Sequence, residues 1–533
     1  MKLYKKKTAL LVAALLAVTT LCSCSKGSQD SSLKDVDLSS YPINCDKTLT
    51  FWMELPTNIS STYTNFGETE LAKELKERTG INIDYVHPPA GQASESFSLM
   101  IASNDMYDII QYNWAKALGG PTITIHDKVI MKLDDLIEGY APNLNKYLSE
   151  NPDIKASVLT DEGNYYVFPF IRGDKDLLFS NGPVIRRDWL EKVNLPIPET
   201  VDEVETTLRA FKNELNVKAP LTVQNYETKL LLNICQASKT FYVEDGKVLF
   251  GPSQPEYKEA LTRLNKWYAE GLLDNNYVST DSTLLDANML NGVSGMAYAS
   301  GGGGVGKWLE TMATKGQPFD IVGIPFITDK KGNAPKFDNA GTTYSPYGSV
   351  AISYSCKYPE LAAKFLDYGY GEEGHMLFNF GIEGKSYEMK DGFPTYTDEI
   401  MKNPEGIPVT QAMGNYLLAA NNGAFVQDKR YIEQYYSKPQ QRESLANWSK
   451  HYDPSKSRAL PTLTYTADES SEYATLMTEI EKYVDENTAQ YIAGIKSLDE
   501  FDKTFNKDLS SLKIERAREI VQAAYDRYKN RLK

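Results

Sequence analysis

Short apolar strands and amphipathic helices alternate along the first part of the chain, and this alternation constrains the possible folds more than any other feature. Residues 49–53 and 107–112 have the composition of buried strands, and residues 81–86 alternate apolar and polar side chains. The apolar spacing of residues 68–79 and 97–102 indicates helices between these strands. Strands separated by helices form βαβ units, so the sequence predicts a mostly parallel sheet with helices on both faces.

The pattern changes at residues 163–170, where two short strands flank a proline, as expected for a crossover between two lobes. A chain of 533 residues is long enough to bury more than one core, which agrees with two or more domains. Thr200, followed three residues later by Glu203, predicts a capping box that opens a helix ending near Leu215. The other elements predicted beyond the crossover are strands over 177–185, 295–299, 319–326 and 351–355 and helices over 187–193, 255–270, 284–291, 359–368, 470–491, 497–506 and 514–532.

The first 24 residues have the three parts of a secretory signal. A lysine-rich start is followed by an apolar run over residues 9–18, and the segment ends in Leu21-Cys22-Ser23-Cys24. The run is shorter than the roughly 20 residues that a permanent membrane span needs. The ending resembles the bacterial lipobox, which implies that residues 1–23 are removed and that Cys24 carries a lipid; an ordinary signal peptide cleaved nearby is the alternative. In both cases we expect the mature chain outside the membrane.

A polar segment and a few cysteines follow this signal. Residues 25–38 are rich in Ser, Asp, Gln, Lys and Gly, so residues 24–44 are predicted to form a lipid-anchored flexible spacer. The folded part then contains three cysteines, Cys45, Cys235 and Cys356. Such an odd and sparse set indicates no disulfide framework, so buried free thiols are favoured, and a bridge between Cys45 and Cys356 stays open.

Charge and aromatic content limit the partners. The formal net charge of −14 argues against nucleic acid and against an anionic membrane surface, and suits a receptor for neutral or cationic small molecules. The 35 tyrosines and 6 tryptophans suit sugar recognition, although composition alone indicates this only weakly.

Motifs for a metal, a cofactor or a catalytic group do not emerge from the sequence. The four histidines are scattered without ligand spacing. The run Gly301–Gly304 lacks the Gly-Lys-Ser/Thr of a phosphate-binding loop, and its glycines are better suited to close approach by a ligand or by the other lobe. Residues 329–333 lack the oxygen ligands of a calcium loop. We therefore predict no cofactor, no metal site and no catalytic residue.

Eight segments in this order resemble the type 2 extracellular solute-binding proteins of ABC sugar importers, and most of all the LplA-like lipoproteins of Gram-positive bacteria. One of them departs from the family pattern, because Tyr107 stands where proline is usual. No single segment is specific, but their common order covers nearly all of the mature chain. The segments are 21–24, 48–52, 103–110, 163–170, 185–190, 295–300, 358–368 and 476–486.

The resemblance implies an α/β, two-lobed periplasmic-binding-protein-like II fold with hinge strands and a ligand cleft between the lobes. Closure around a ligand is then a hinge motion, driven by contacts that exist only when both lobes touch the ligand. By this similarity, lobe 1 takes residues 45–166 plus 325–383, lobe 2 takes 167–324 plus 384–533, the hinge strands are 165–170 and 321–326, and a third crossing lies near 381–387.

Candidate ligand-binding residues lie where predicted strands end, because ligands of α/β sheets bind there. A sugar site also needs aromatic rings for the C–H faces and fixed polar groups for the hydroxyls. With the family's pattern, these criteria select Trp52, Glu54, Asn113, Trp114, Arg172, Asp174, Tyr298, Ser300, Tyr344 and Tyr347. The alternatives are core packing for the two tryptophans and a lobe-stabilising ion pair between Arg172 and Asp174.

The resemblance implies a receptor and not an enzyme. It would be a monomer, anchored at the extracellular face of the cell membrane, that captures an oligosaccharide or another small solute and delivers it to the permease subunits of an ABC transporter. A surface glycosidase, with two carboxylates roughly 5–10 Å apart, is one alternative. A peptide- or lipid-binding lipoprotein, or a sensory partner of a kinase, is another.

Overall fold

The structure is a computed structural model that describes Leu33 and residues 36–338 and 340–532. The predicted signal peptide, Cys24 and most of the predicted spacer lie outside the described residues, and a compact unit begins at Asp37. Its strands are β1 (Thr48–Trp52), β2 (Asn82–Val86), β3 (Ile109–Gln111), β4 (Phe168–Arg172), β5 (Asn181–Arg186), β6 (Phe241–Glu244), β7 (Lys247–Phe250), β8 (Met296–Ser300), β9 (Ile321–Gly323), β10 (Tyr344–Ile352), β11 (Tyr387–Lys390), β12 (Phe393–Tyr396) and β13 (Val426–Gln427).

Helices surround these strands, and a π-helical turn, Gly301–Gly306, follows β8. The α-helices are α1 (Thr57–Ser60), α2 (Glu70–Thr79), α3 (Ala93–Ser103), α4 (Gly120–His126), α5 (Asp134–Tyr140), α6 (Pro142–Glu150), α7 (Pro152–Ser157), α8 (Arg187–Lys192), α9 (Val201–Glu214), α10 (Thr228–Ile234), α11 (Pro255–Ala269), α12 (Ser282–Leu290), α13 (Lys307–Thr314), α14 (Pro359–Asp367), α15 (Glu372–Phe380), α16 (Asp398–Met401), α17 (Val409–Tyr416), α18 (Lys429–Tyr435), α19 (Pro439–Ser449), α20 (Ala467–Ile492), α21 (Phe501–Ser511) and α22 (Ile514–Arg531).

The larger sheet has six strands in the order β13–β4–β10–β3–β1–β2. β1 runs parallel to β2 and β3, and β13 runs parallel to β4, whereas β10 is antiparallel to both of its neighbours. The predicted mostly parallel α/β sheet is therefore confirmed. Because of these directions, β1, β3, β4 and β13 all end at the edge where β10 begins, and we call this edge the carboxyl edge.

The smaller sheet has three strands in the order β8–β5–β9, with β5 antiparallel to both neighbours. Ser300 at the end of β8 lies opposite Asn181 at the start of β5, so the chain enters this sheet where β8 ends. Residues 173–180 lead from β4 into β5, and residues 324–343 lead from β9 back to β10. Both connections thus join one end of the smaller sheet to the carboxyl edge of the larger sheet.

Each sheet has its own hydrophobic core. Beside the smaller sheet, Trp267, Trp308 and Trp448 are at most 1% exposed. In the larger sheet, Ile110 and Phe168 are fully buried. Burial of each such side chain contributes about 1.5–3 kcal/mol relative to its exposure to water, so both sheets are rigid supports for the residues at their edges.

Local sequence signals account for several helix ends. Thr200 and Glu203 form the predicted capping box at the start of α9, where the Glu203 carboxylate accepts a hydrogen bond from the Thr200 N–H at 3.1 Å. Gly80 ends α2 with a φ of +72°, and a Cβ at this position would lie 2.2 Å from the Ile43 carbonyl oxygen. Glycine is therefore required at residue 80 for both conformation and space.

The strand predicted at 351–355 is longer and begins earlier, because β10 starts at Tyr344. Pro346 and Gly348 obscure the alternation of side chains in the sequence. In the structure the register shifts between Ser345 and Val350, as in a β-bulge, so the strand continues past both residues. The candidates Tyr344 and Tyr347 therefore lie within a strand and not in the loop before it.

The division into two lobes remains a prediction, and the sheet order bears on its boundaries. β4 and β9 overlap the two predicted hinge strands. Near the predicted third crossing the chain forms the hairpin β11–β12, and β13 still pairs with β4 of the larger sheet. α19 then packs against β9 of the smaller sheet. We therefore propose that the third crossing lies between β13 and α19, and that residues 384–436 belong with lobe 1.

Tyr41 and Ile43 fall inside the predicted spacer, but both pack against the fold. Ile43 is 1% exposed, and its N–H donates to the Thr79 carbonyl at 2.8 Å. The Tyr41 hydroxyl donates to the Lys364 carbonyl at 2.5 Å, and its ring lies edge-on to Tyr368 with centroids 5.1 Å apart. Two apolar residues in a polar segment form no periodic pattern, so the sequence did not indicate this contact.

Candidate functional site

Eight of the ten candidate residues lie along the carboxyl edge of the larger sheet. Trp52 ends β1, and Glu54 follows two residues later. Asn113 and Trp114 follow β3, Arg172 ends β4, Asp174 follows it, and Tyr344 and Tyr347 lie in the first half of β10. Tyr298 and Ser300 are the two that belong to the smaller sheet, at the end of β8 from which the connections to the larger sheet leave. The structure thus brings the candidates to two edges that the connecting segments join.

Four aromatic candidates are buried in this conformation. Trp114 is 1% exposed, its ring packs edge-on to Phe97 with centroids 5.3 Å apart, and its Nε1 donates to the Ile110 carbonyl at 3.4 Å. Trp52, Tyr298 and Tyr344 are 3–4% exposed. These rings support the edges from inside the core, and their contact with a ligand remains a prediction.

Tyr347 is the accessible aromatic candidate, with 55% of its surface exposed. Lys116 lies beside it: the lysine Nζ donates to the tyrosine hydroxyl at 3.0 Å and lies 5.4 Å from the ring centroid. A cation over a tyrosine ring is a favourable contact, so Lys116 holds the ring in place. The ring can therefore offer a flat surface to a ligand at the carboxyl edge.

Asn113 carries an unused acceptor at the same edge. The residue is 9% exposed, and among the described residues none donates a hydrogen bond to its side-chain oxygen Oδ1. A buried polar atom without a partner costs about 1–3 kcal/mol. A ligand hydroxyl that donated to this oxygen would remove that cost.

Arg172 and Asp174 do not form the ion pair that was the alternative interpretation. The Arg172 guanidinium donates to the Thr342 carbonyl at 2.9 Å, and burial lowers the pKa of this group. Asp174 instead pairs with Lys429 at 3.3 Å. Arg172 thus fastens the end of β4 to the segment that leads into β10.

Four further ionisable residues, which the sequence analysis did not select, have shifted pKa values. Lys229 is the second residue of α10, and burial lowers the pKa of its ammonium group, while Asp338 and Tyr347 oppose the shift. Burial raises the pKa of the Asp338 carboxyl, which Lys229 opposes. Burial and Asp485 raise the pKa of Glu481 on α20, while Lys239 and Lys116 oppose the shift. Burial also raises the pKa of Glu227 to about 7, although the hydrogen bond that the Gln224 N–H donates to this carboxylate opposes the shift.

Two of these shifts concern groups that keep access to solvent. Lys229 and Glu481 are exposed, yet their pKa values move in the direction that removal of water causes. Tyr347 of β10 opposes the shift of the Lys229 pKa, and Lys116 opposes the shift of the Glu481 pKa, so charges on separate segments influence one another. We call Lys116, Glu227, Lys229, Asp338 and Glu481 the charged cluster.

The stability effect of Glu227 depends on pH. Its pKa is about 7 in the folded protein, against 4.5 for an ordinary glutamate, so the folded state binds the proton more tightly. Stability from this group is fully present below about pH 4.5 and is lost as pH rises through about 7. We expect Glu227→Gln to remove about 1–2 kcal/mol of this decline, after allowance for partial solvent access. Urea denaturation at about pH 5 and about pH 8 measures this difference in the free energy of unfolding, and Glu405→Gln, at an exposed carboxyl group, is the control. An equal loss of stability between the two pH values in both variants would contradict the expectation.

The glycine run after β8 is packed by the segment that follows the larger sheet. A Cβ at Gly301 would lie 2.5 Å from the Tyr436 ring, and one at Gly302 would lie 2.3 Å from the Tyr435 hydroxyl. The backbone therefore closely approaches two tyrosines that follow β13, and the expected approach by a ligand or by the other lobe stays a prediction.

Gly301→Ala is expected to destabilise the protein by about 1–3 kcal/mol, because the added methyl group overlaps the buried Tyr436 ring. Gly303→Ala is the matched control: its nearest neighbour would be the Ser300 Oγ at 3.3 Å, and alanine gains about 0.5–1 kcal/mol in a helix. Thermal denaturation of both variants measures the difference. Equal melting temperatures would show that the ring moves aside without cost.

Two properties of the described residues bear on other functions. No set of three or more His, Cys, Asp or Glu side chains in that part of the chain is arranged to hold a metal ion. None of the helices described there combines the length and the apolar character that crossing a membrane requires. Cys45, Cys235 and Cys356 are free thiols.

A mostly parallel sheet and a smaller antiparallel sheet, joined by crossing segments, define a mixed α/β periplasmic-binding-protein fold. The crystal structure of the alginate-binding protein AlgQ2 without calcium ion matches with a TM-score of 0.76 and 22% identity, over 91% of this chain and 100% of that one. The Streptococcus pneumoniae substrate-binding protein FusA in complex with kestose matches with a TM-score of 0.72 and 22% identity, over 91% and 100%. The predicted fold class is confirmed.

The chain belongs to the bacterial extracellular solute-binding protein family, whose model matches residues 64–376, more than half of the chain. It is 25% identical to the fructooligosaccharide ABC transporter substrate-binding protein FusA of Streptococcus pneumoniae serotype 4, over 98% of both chains. It is 26% identical to lipoprotein LipO of Bacillus subtilis, over 62% of this chain and 66% of that one. Family membership makes it a solute-binding component and not an enzyme, as predicted.

Proposed function

We propose that the protein is a lipid-anchored receptor that captures an oligosaccharide between its two sheets and delivers it to an ABC permease. The observation that carries this proposal is the exposed Tyr347 ring, which Lys116 contacts at the carboxyl edge, together with the unpaired Asn113 oxygen at the same edge. An accessible ring next to hydrogen-bonding groups is what a sugar needs. The names of relatives that bind fructooligosaccharides and alginate support the same ligand class.

The ligand contacts divide into two groups by their exposure. We propose that Tyr347 stacks on a sugar face, and that Glu54, Asn113, Arg172 and Ser300 offer hydrogen bonds to hydroxyls. The more buried candidates, Trp52, Trp114, Tyr298 and Tyr344, hold these groups in position from below, and Asp174 does so through its ion pair with Lys429. A ligand that touched both sheets would favour a closed state over an open one.

A thermal-shift screen with neutral and acidic oligosaccharides tests this function. A ligand that binds the folded state alone raises the melting temperature, by about 2.7 kcal/mol of added stability at 100 times its Kd. We expect a shift with at least one oligosaccharide, compaction in small-angle X-ray scattering, and recovery of the sugar unchanged. A shift with peptides but not sugars, or release of a cleaved product, would overturn the proposal in favour of a peptide receptor or a glycosidase.

Cys24→Ala is expected to release nearly all of the protein from the cell membrane into the medium. A lipid chain adds about 0.8 kcal/mol for each buried methylene, and the substitution removes the thiol that would carry it. Fractionation followed by immunoblotting measures the distribution. Cys22→Ala is the matched control, because residue 22 occupies the variable position of the lipobox and is discarded; retention of Cys24→Ala at the membrane would refute lipid anchoring.

A further inference from the structure

A cavity of about 460 Å³ lies beside the two segments that connect the sheets. Leu178 lines it from the connection between β4 and β5, and residues 340–343 line it from the connection between β9 and β10. Ser157 of α7 is also in the lining, and so are Tyr525 and Tyr528 of α22. The volume is within the range of roughly 300–1,000 Å³ that small-molecule sites occupy. We call this cavity the connector groove.

Three partly exposed tyrosines line the connector groove, namely Tyr452, Tyr525 and Tyr528. The Tyr452 ring packs edge-on against the buried ring of Phe179, with centroids 5.0 Å apart. The Tyr528 hydroxyl lies 3.3 Å from the Ser157 Oγ, within hydrogen-bond distance. Rings that neighbours hold in place, and that still keep accessible surface, can stack on the C–H faces of a sugar.

The lining of the connector groove carries little charge: among the described residues that form it, the exposed Asp153 is the one charged side chain. Lys529 and Arg531 lie over the rings of Tyr525 and Tyr528, 4.7 Å and 5.7 Å from the centroids. Both cations already have carboxylate partners, at 2.9 Å from Asp526 and at 2.6 Å from Asp161 respectively. The lining therefore suits an uncharged ligand better than an anion.

Hydrogen-bonding groups accompany the rings. The hydroxyl-bearing residues Thr343 and Thr462 line the groove, and among the described residues none forms a hydrogen bond with either of these two hydroxyls. A hydroxyl both donates and accepts, so each can bond to a sugar hydroxyl in either direction. Rings with free hydroxyls beside them are the combination that saccharide recognition requires.

We propose that the connector groove is a second saccharide site, which binds a short uncharged oligosaccharide and is separate from the edge at Tyr347. The tyrosine rings cover C–H faces of the sugar, and the two threonine hydroxyls bond to its hydroxyls. Tyr344 of the larger sheet and Tyr452, which packs on the core beside the smaller sheet, both line the groove. An occupant that contacts both tyrosines favours one arrangement of the two sheets over others.

Calorimetry with the neutral trisaccharides kestose, maltotriose and mannotriose tests this inference. We expect Tyr525→Ala to weaken the binding of at least one probe by at least threefold, because a stacking ring is lost. Tyr525→Phe keeps the ring and is expected to keep the affinity within about twofold. Circular dichroism and the melting temperature of each variant show that the fold is retained.

Tyr354→Ala is the matched control for Tyr525→Ala. Tyr354 is 50% exposed and has the Nζ of Lys128 5.5 Å from its ring centroid, as Tyr525 has that of Lys529. It follows β10 at the end opposite to the carboxyl edge and does not line the groove. We expect Tyr354→Ala to bind every probe as the parent protein does; an equal loss in both alanine variants would overturn the assignment to the groove.

Tyr347→Ala separates this inference from the proposed function. If Tyr347→Ala weakened binding and Tyr525→Ala did not, the inference would be overturned and the receptor function would stand. If Tyr525→Ala weakened binding and Tyr347→Ala did not, the groove would be supported and the role of the Tyr347 edge would be overturned. Absence of binding by all three probes at millimolar concentration would overturn the inference, while the wider thermal-shift screen decides the proposed function.

Discussion

Replacement of Trp114 by alanine is expected to lower the free energy of unfolding by about 3–5 kcal/mol, because it leaves a large cavity in the core. The ring is 1% exposed and packs against Phe97 and Tyr112, with centroid distances of 5.3 Å and 6.3 Å. The Trp114 ring therefore stabilises the larger sheet in the absence of a ligand. Urea denaturation followed by circular dichroism measures the loss as a lower midpoint.

Tyr347→Ala is the matched control for this variant, since its ring is 55% exposed and fills no core space. We expect its unfolding midpoint to stay within about 0.5 kcal/mol of the parent protein, while its affinity for oligosaccharide falls. If Trp114→Ala instead kept its stability and lost its ligand, the tryptophan would be a contact residue and the packing argument would be wrong.

Asp161→Ala is expected to cost about 3 kcal/mol, because it removes a buried carboxylate between two arginines. The Asp161 side chain is 0% exposed and pairs with Arg527 at 2.7 Å and with Arg531 at 2.6 Å. Removal of the Asp161 carboxylate leaves the two arginine guanidinium groups partly buried without this opposite charge. Because both arginines lie on α22, the variant should loosen the C-terminal helix from the loop that precedes β4.

Limited proteolysis together with urea denaturation measures both effects of Asp161→Ala. Asp502→Ala, at an exposed ion pair with Lys258, should cost no more than about 1 kcal/mol and leave α22 protected. Equal losses in the two variants would mean that the network around Asp161 adds little beyond a surface ion pair.

Many elements of the fold could be predicted, because their signals are local. Gly80 and the Thr200–Glu203 box mark helix ends through the conformation and hydrogen bonds of a few neighbouring residues. The predicted start of β10 was wrong, because Pro346 and Gly348 interrupt the strand pattern in the sequence. The bulge that accommodates them is defined only by pairing with the neighbouring strands β3 and β4. Pairing with other strands decides where such a strand begins, and a short stretch of sequence does not contain that information.

The site was predictable only in its position. Strand ends place the candidates at one edge, yet the exposure of each ring depends on what α3 and the connecting segments cover, as Trp114 and Tyr347 illustrate. The charged cluster comes from four separate segments, and among its members only Lys116 lies close to a candidate in the sequence. Its members influence one another only through the fold, so spacing carries no signal for them.

The contact between Tyr41 and α14 has a mechanical consequence. With the lipid anchor proposed above, tension from the membrane would act first on the part of the fold that Tyr41 contacts. Tyr41 is bound to Lys364 and Tyr368, and α14 packs on β10, so such a load would enter the larger sheet. Under the proposed division into lobes, the larger sheet would then be the half held near the cell surface, and the smaller sheet would be the half that moves on closure.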